Sequence, residues 1–238
     1  MEKNKTSDLN TVDALFTAGA HFGFVKSRRH PSHKPFIFGT KNKIEIFDLE
    51  KTKMSLDKAL EFVKELGSKN ASILFVGGKS EAKEAIEKAG MALNFPYVAG
   101  RWLGGTLTNF VEIRKRVNKL ENRLVEKEKG ELAKYTKKER LLIDREIDRM
   151  KIFFTGLSNL KGMPQAVFVV DTKREYSAVA EARALNIPII SLVGSDCNLL
   201  DSTYPIPGND SSKASIAYFV DQVVAAYKAG QLSSVLKV

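Results

Sequence analysis

The sequence predicts an α/β fold in which a parallel sheet of about five strands is flanked by helices and carries an inserted antiparallel coiled-coil helical hairpin. Short, continuously apolar segments such as VFVV and PIISLV recur along the chain and alternate with amphipathic segments of helical periodicity. Strands buried on both faces are typical of a parallel sheet that helices cover on both sides. Two heptad patterns between residues 106 and 157 interrupt this alternation and predict the hairpin.

Length and composition agree with this fold class. The 238 residues suffice for one large domain with an appendage, and 43% hydrophobic and 28% charged residues are typical of a globular protein. Cys197 is the only cysteine, which excludes an intrachain disulfide and a cysteine-based zinc site. The N-terminus is polar and no apolar run is long enough to span a bilayer, so we expect no signal peptide, no transmembrane helix and a cytoplasmic location.

The elements of the α/β part follow from local patterns. A short amphipathic helix over residues 11–18 opens the chain, and Gly19 ends it. Residues 26–43, here called the basic loop, hold six Lys and Arg and no acid, and the apolar Phe36-Ile37-Phe38 joins this loop to a strand. The alternating elements that follow are predicted as strand 43–47, helix 51–66, strand 72–76, helix 80–89, strand 97–98, strand 166–171, helix 174–185, strand 187–193 and helix 211–229.

The hairpin is predicted from two apolar seams. Apolar residues recur at alternating steps of three and four, at Phe110, Ile113, Val117, Leu120 and Leu124 in the first arm and at Ile143, Ile147, Met150, Phe154 and Leu157 in the second. Gly130 and its polar neighbours break the pattern, which indicates an antiparallel pair of helices. The prediction thus divides the chain into an α/β domain, residues 1–105 plus 158–238, and a protruding hairpin, residues 106–157.

The positive charge is concentrated in two segments. Of the formal net charge of +10, +4 lies in residues 1–53 and +6 in residues 100–151, whereas residues 54–99 and 152–238 are each neutral. An excess of this size predicts a polyanionic partner and leaves RNA, DNA and an anionic membrane surface as alternatives. We therefore expect a neutral sheet that presents two basic contact surfaces.

Residues 73–80 resemble a phosphate-binding loop, because a strand continues through two glycines and Lys79-Ser80 into a helix. A Walker A motif at this place requires a further glycine at position 73, which is Ile73. We predict a tight turn here, and a nucleotide-binding enzyme stays an alternative hypothesis. No G-x-S-x-G pattern is present and no base is evident for Cys197, so no catalytic residue is predicted.

Two groups of residues bear on a metal site. The three histidines, His21, His30 and His33, lie within 13 positions of one another. The neighbouring Arg28, Arg29 and Lys34 would repel a cation bound by these histidines. Several acids follow the last strands, where α/β folds place ligands, namely Asp171, Asp196, Asp201 and Asp210. The sequence therefore predicts no cofactor and leaves a structural divalent ion held by these acids as an alternative to helix and turn capping.

The segment from Arg101 to Phe110 contains the only tryptophan. An Arg-Trp pair beside two glycines suits either contact with an unpaired RNA base or a hinge under the hairpin. We predict that Trp102 packs under the hairpin, that Thr106 caps the first arm, and that Arg101 contacts RNA.

Five motifs resemble, in order and spacing, the bacterial small-subunit ribosomal protein S-two family, over the chain from Leu9 to Ala229. They are GAHFG at 19–23, KPFIFGTKNKIEIFDLEKT at 34–52, ILFVGGK at 73–79, RWLGGTLTNF at 101–110 and YPIPGND at 204–210. The family usually has a second histidine where this chain has Phe24, and a threonine where it has Gly78. Some members are associated with a bound divalent metal, and the loss of that histidine argues against such a site near His21.

The resemblance implies a five-stranded parallel α/β domain with a protruding coiled-coil hairpin, located on the solvent side of the small subunit between head and body. It also implies binding to small-subunit ribosomal RNA, contact with neighbouring ribosomal proteins, a part in holding the mRNA-binding protein S-one near the mRNA exit, and no enzymatic activity or membrane partner. A DNA-binding protein stays an alternative on charge alone.

The residues expected to contact phosphates belong to two groups, the basic loop and the hairpin base, which we define as Arg101 and residues 114–116. These residues are Lys26, Arg28, Arg29, Lys34, Lys41, Lys43, Arg101, Arg114, Lys115 and Arg116. Lys and Arg that neutralise phosphates release counterions, so we expect the affinity for RNA to fall steeply as salt rises.

Overall fold

The computed structural model describes residues 11–235, which form two sheets and seven α-helices. The strands are β1 (Phe22–Val25), β2 (Ile37–Lys41), β3 (Ile44–Phe47), β4 (Ile73–Val76), β5 (Tyr97–Val98), β6 (Ala166–Val170), β7 (Ile189–Val193) and β8 (Tyr204–Pro207). The helices are α1 (residues 11–17), α2 (Leu49–Ser68), α3 (Ser80–Leu93), α4 (Phe110–Glu128), α5 (Lys137–Phe154), α6 (Tyr176–Ala184) and α7 (Lys213–Val235).

The predicted parallel sheet is confirmed, with strand order β5-β4-β6-β7-β8 and every pair parallel. Its fifth strand is β8, which the apolar pattern did not indicate because two prolines interrupt Tyr-Pro-Ile-Pro. Proline is tolerated at an edge strand, where one row of backbone amides needs no partner. The predicted strand 43–47 exists, but it belongs to a separate antiparallel sheet of order β1-β3-β2.

Alternate residues of the parallel sheet enter two apolar cores. On one face, Phe75 and Phe168 pack with the buried sides of α2, α3 and α7. On the other face, Leu74 and Val167 pack with Trp102, α6, the N-terminal half of α4 and the C-terminal half of α5. Burial on both faces accounts for the continuously apolar strands.

The two long helices of the inserted segment pack against each other through their apolar seams. Ile113 and Val117 of α4 are buried with Ile147 and Phe154 of α5. Gly130 turns the chain between them at φ 74°, a backbone conformation that glycine adopts without strain. That the pair is a coiled coil protruding from the α/β domain stays a prediction.

The first hairpin helix begins four residues later than predicted, at Phe110. The Thr106 hydroxyl donates to the carbonyl oxygen of Leu103 at 2.6 Å, and Asn109 stands at the N-cap position, so the prediction that Thr106 caps this helix was wrong. The prediction for Trp102 is confirmed, because its side chain is buried beneath the hairpin. Among residues 11–235, no helix is both long and apolar enough to cross a bilayer.

Candidate nucleic-acid interface

Five of the six bases of the basic loop point into solvent. These exposed side chains, none of which has an ion pair among residues 11–235, are Lys26, Arg28, Lys34, Lys41 and Lys43. Two short 3-10 turns, Lys26–Arg28 and Pro31–Phe36, present the first three. The last residue of β2 presents Lys41, and the turn between β2 and β3 presents Lys43. Unpaired exposed cations keep their full charge for a phosphate partner.

Arg29 is the exception in this loop. Its guanidinium nitrogen Nη1 donates to Oε1 of Glu45 at 2.9 Å, and the Glu45 side chain is completely buried. Breaking such a pair leaves a buried charge without compensation, which is strongly destabilising. Arg29 therefore anchors the basic loop on β3, and a phosphate contact by its remaining donors stays a prediction.

The loop is also attached to the turns that follow β7. The His30 amide donates to the carbonyl oxygen of Ser195 at 2.8 Å, and the Leu199 amide donates to Oγ of Ser32 at 3.2 Å. The Phe24 amide of β1 donates to the Ser195 hydroxyl at 2.9 Å. These bonds place the exposed bases on a backbone that the parallel sheet supports.

The buried His33 makes the stability of this region depend on pH. Burial, and then the nearby His30, lower the pKa of His33 from 6.5 to about 4. The unfolded chain therefore binds a proton below about pH 6.5 that the folded chain binds only near pH 4. The contribution of the neutral His33 to stability is therefore present above pH 6.5 and is lost as the pH falls from 6.5 towards 4.

Binding of a proton to His33 in the unfolded chain is expected to lower the free energy of unfolding by about 2 kcal/mol between pH 7 and pH 5. Urea unfolding of the wild type and of His33→Leu at both pH values measures it. The variant is expected to lose about that much of the pH dependence. Equal pH dependence in both proteins would contradict the assignment.

The hairpin base is partly engaged in contacts within the chain. Arg101 and Arg116 are exposed and have no ion pair among the described residues, whereas Lys115 pairs with Glu112 at 2.6 Å on the surface. Arg114 is half-buried, and its Nη1 donates to the Ser158 carbonyl oxygen at 3.0 Å. Arg101 and Arg116 are thus the bases of this group with a free charge, and Arg114 holds α4 to the segment after α5.

Glu181 of α6 organises the turn before the hairpin, and the sequence patterns did not indicate it. Its carboxylate accepts bonds of 2.8 to 3.1 Å from Trp102 Nε1, the Gly105, Leu107 and Thr108 amides, and the Thr108 hydroxyl. Burial raises the pKa of Glu181, but these donors lower it more, so the net pKa lies below its usual range. The one local signal was a glycine-rich turn whose backbone amides need acceptors.

A buried ion cluster lies at the carboxyl ends of β4, β6 and β8. Lys79 Nζ lies 2.8 Å from Oδ2 of Asp171 and 2.8 Å from Oδ2 of Asp210. Burial lowers the pKa of Lys79, but the two carboxylates raise it more, so the ammonium stays charged. Because this ammonium is buried and directed at carboxylates, it does not face a site for a nucleotide phosphate.

Close packing explains the two glycines in residues 73–80, the segment that resembles a phosphate-binding loop. A Cβ on Gly78 would collide with Oε1 of Glu175, which accepts a bond from the Gly78 amide at 3.1 Å. A Cβ on Gly77 would lie 2.9 Å from the Ile86 side chain. The geometry is therefore that of the predicted tight turn.

The same cluster does not fit a divalent cation. Asp171, Cys197 and Asp210 offer ligand atoms within 4.8 Å of one another, but the Lys79 ammonium already balances both carboxylates. Burial raises the pKa of the Cys197 thiol to about 12, so the thiol beside this ion cluster is neutral. Phe24, in place of the family histidine, supplies no ligand, and its ring packs close to Gly194 beside Asp210.

The three histidines also belong to no group of metal ligands among residues 11–235. The His21 ring stacks on Phe16 with 4.4 Å between ring centroids, and the His33 ring packs edge-on against Phe47. The His30 ring nitrogen Nδ1 lies 2.8 Å from Ser32 Oγ within the basic loop. These contacts favour packing roles over metal binding.

Comparison with known proteins finds one family over most of the chain. The family model described as ribosomal protein S2 matches residues 15–230. The small ribosomal subunit protein uS2 of Mycobacteroides abscessus is 42% identical over 220 residues, which cover 92% of this chain and 79% of that protein. Proteins of the same name from Mycolicibacterium vanbaalenii and Nocardia farcinica are 42% and 40% identical, over 92% of this chain and 81% and 77% of theirs.

Proposed function

The chain belongs to the ribosomal protein S2 family, and we propose that it is a structural constituent of the small ribosomal subunit that binds small-subunit ribosomal RNA through its basic loop and hairpin base. Membership in this family makes it a structural, non-enzymatic protein. On the same basis we propose that it acts in translation on cytoplasmic ribosomes, beside other small-subunit proteins.

The observation that carries the RNA contact is that most bases of the two expected groups are exposed and have no ion pair among the described residues. Five lie in the basic loop, and Arg101 and Arg116 lie in the hairpin base. Some of the other bases on the hairpin pair with acids, as Lys119 does with Glu146 and Lys127 with Asp144. Unbalanced cations attract a polyanion, and their contacts with phosphates release counterions.

We expect the triple variant Lys26→Ala, Arg28→Ala and Lys41→Ala to bind small-subunit ribosomal RNA more weakly than the wild type. The slope of log affinity against log salt concentration should become shallower by about 2 to 3, because each lost phosphate contact removes about 0.9. Filter binding at several salt concentrations measures both quantities. Arg29 is left in place because its loss would expose the buried Glu45 charge.

The matched control changes three exposed lysines elsewhere, Lys58, Lys64 and Lys228, to alanine. An equal loss of affinity in the control would mean that net charge alone is sensed. Preference of the wild type for duplex DNA over ribosomal RNA at physiological salt would favour the DNA-binding alternative instead.

The finer part of the proposal is that the chain helps to dock the mRNA-binding protein S-one on the small subunit. The family resemblance supports it. Small subunits reconstituted without this chain are expected to retain less S-one after sedimentation than complete subunits. Equal retention would restrict the role of the chain to its RNA contact.

A further inference from the structure

A groove of about 370 Å³ lies where the end of the hairpin meets the edge of the parallel sheet. α3, β5, the loop after β5 and the end of α5 line it, so its walls come from parts of the chain far apart in sequence. The volume is within the range of about 300 to 1,000 Å³ that is usual for ligand clefts. It is separate from the basic loop and includes only Arg101 of the hairpin base.

Three cations surround this groove. Lys83, Arg101 and Lys151 are exposed, and none of them has an ion pair among residues 11–235. The only acid in the lining is Glu87. Three cations that line one concave surface with a single acid raise the local concentration of anions.

The remaining walls are apolar and aromatic. Tyr97 and Phe153 are half-buried, and Ile152 is 76% exposed at the rim. Gly100 also lines the groove, and a Cβ on Gly100 would meet no atom within 4 Å. Neither packing nor a positive φ requires this glycine, and its open backbone permits close approach of a ligand.

We propose that this groove takes one unpaired nucleotide of small-subunit ribosomal RNA, with its phosphate among Lys83, Arg101 and Lys151 and its base against the apolar wall. The proposal rests on the proposed function of the chain and extends it to residues that the charge pattern did not indicate. An unpaired nucleotide is favoured over duplex RNA because only a base outside a helix can place its face against aromatic and aliphatic side chains.

The first experiment removes the charge. We expect Lys83→Ala with Lys151→Ala to bind full-length bacterial small-subunit ribosomal RNA about tenfold or more weakly at physiological salt. The slope of log affinity against log salt concentration should become shallower by about 0.7, the value for one phosphate on a single strand. The charge-matched control is Lys58→Ala with Lys64→Ala on α2, which should bind as the wild type does.

The second experiment fills the groove without changing charge. Gly100→Leu adds a side chain in open space at a residue that lines the groove, and we expect it to weaken binding without a change in salt slope. Unfolding in urea checks that the variant is folded. Wild-type affinity in both the charge and the filling variants would overturn the proposal, whereas a wild type that fails to bind the RNA at all would overturn the proposed function.

The third experiment identifies the occupant. Cys197 is the only cysteine and is buried, so Ile152→Cys provides a single accessible thiol at the rim for an iron chelate that cleaves nearby RNA. Cleavage at unpaired nucleotides supports the proposal. Cleavage confined to duplex RNA, or no cleavage in a complex that binds with wild-type affinity, overturns it.

Discussion

Replacing Lys79 with methionine is expected to lower the free energy of unfolding by about 3 to 5 kcal/mol. Methionine keeps most of the volume of the side chain but removes the ammonium that lies 2.8 Å from both Asp171 and Asp210. The two carboxylates are buried at the carboxyl-end edge of the parallel sheet, after β6 and β8, so they would face each other without a cation. Urea unfolding at pH 7 measures the change.

Two further variants separate this effect from a simple loss of lysine. Lys58→Met removes an exposed lysine from α2 and should change stability by less than about 0.5 kcal/mol. Adding Asp171→Asn and Asp210→Asn to Lys79→Met removes the uncompensated charges and should recover part of the loss. If Lys79→Met were no more destabilising than Lys58→Met, the cluster would not hold the strand ends together.

Replacing Glu181 with alanine is expected to lower the free energy of unfolding by about 2 to 4 kcal/mol, because five donors at the start of the hairpin lose one charged acceptor. Solvent replaces the carboxylate for some of these donors, since Glu181 is only half-buried, which keeps the cost below a simple sum. Glu84→Ala, at an exposed position of α3, is the matched control and should leave stability nearly unchanged.

Hydrogen exchange provides a local measure of the same variant. The amides of Gly105, Leu107 and Thr108, which donate to Glu181, should exchange faster in Glu181→Ala, while the amides of β6 and β7 should change only as far as global stability falls. If exchange became faster by the same factor at all amides of the variant, Glu181 would not specifically hold this turn. A loosened turn would also displace Arg101, which directly precedes it.

These two clusters connect the fold to the proposed function. Lys79 joins the ends of three parallel strands, and Glu181 joins α6 to the turn from which α4 begins. Lys79 is buried and Glu181 is half-buried, whereas most of the expected RNA contacts are exposed. Their role is to hold the surfaces that carry the exposed bases in fixed positions. These surfaces then lose their conformational entropy when the chain folds, and not when it binds RNA.

Much of the local structure followed from short-range patterns. The apolar runs at residues 72–76 and 166–171 became β4 and β6, and the heptad seams became α4 and α5, because periodicity reports which face of an element is buried. The edge strand β8 was not predicted, since its two prolines hide its apolar content and its pairing with β7 is a property of the sheet.

By itself, the sequence determined the fold class, the position of the excess charge and the family resemblance, because each depends on residues that are neighbours along the chain. Only the tertiary structure decided which charges are free. It paired Arg29 with the buried Glu45, enclosed Lys79 between two carboxylates, and left Lys83 and Lys151 without an ion pair to any described residue, in the groove that Arg101 also lines. The reason is that the charge of a side chain acts through its distance to partners and its burial, and both are set by strands and helices that meet from distant parts of the chain.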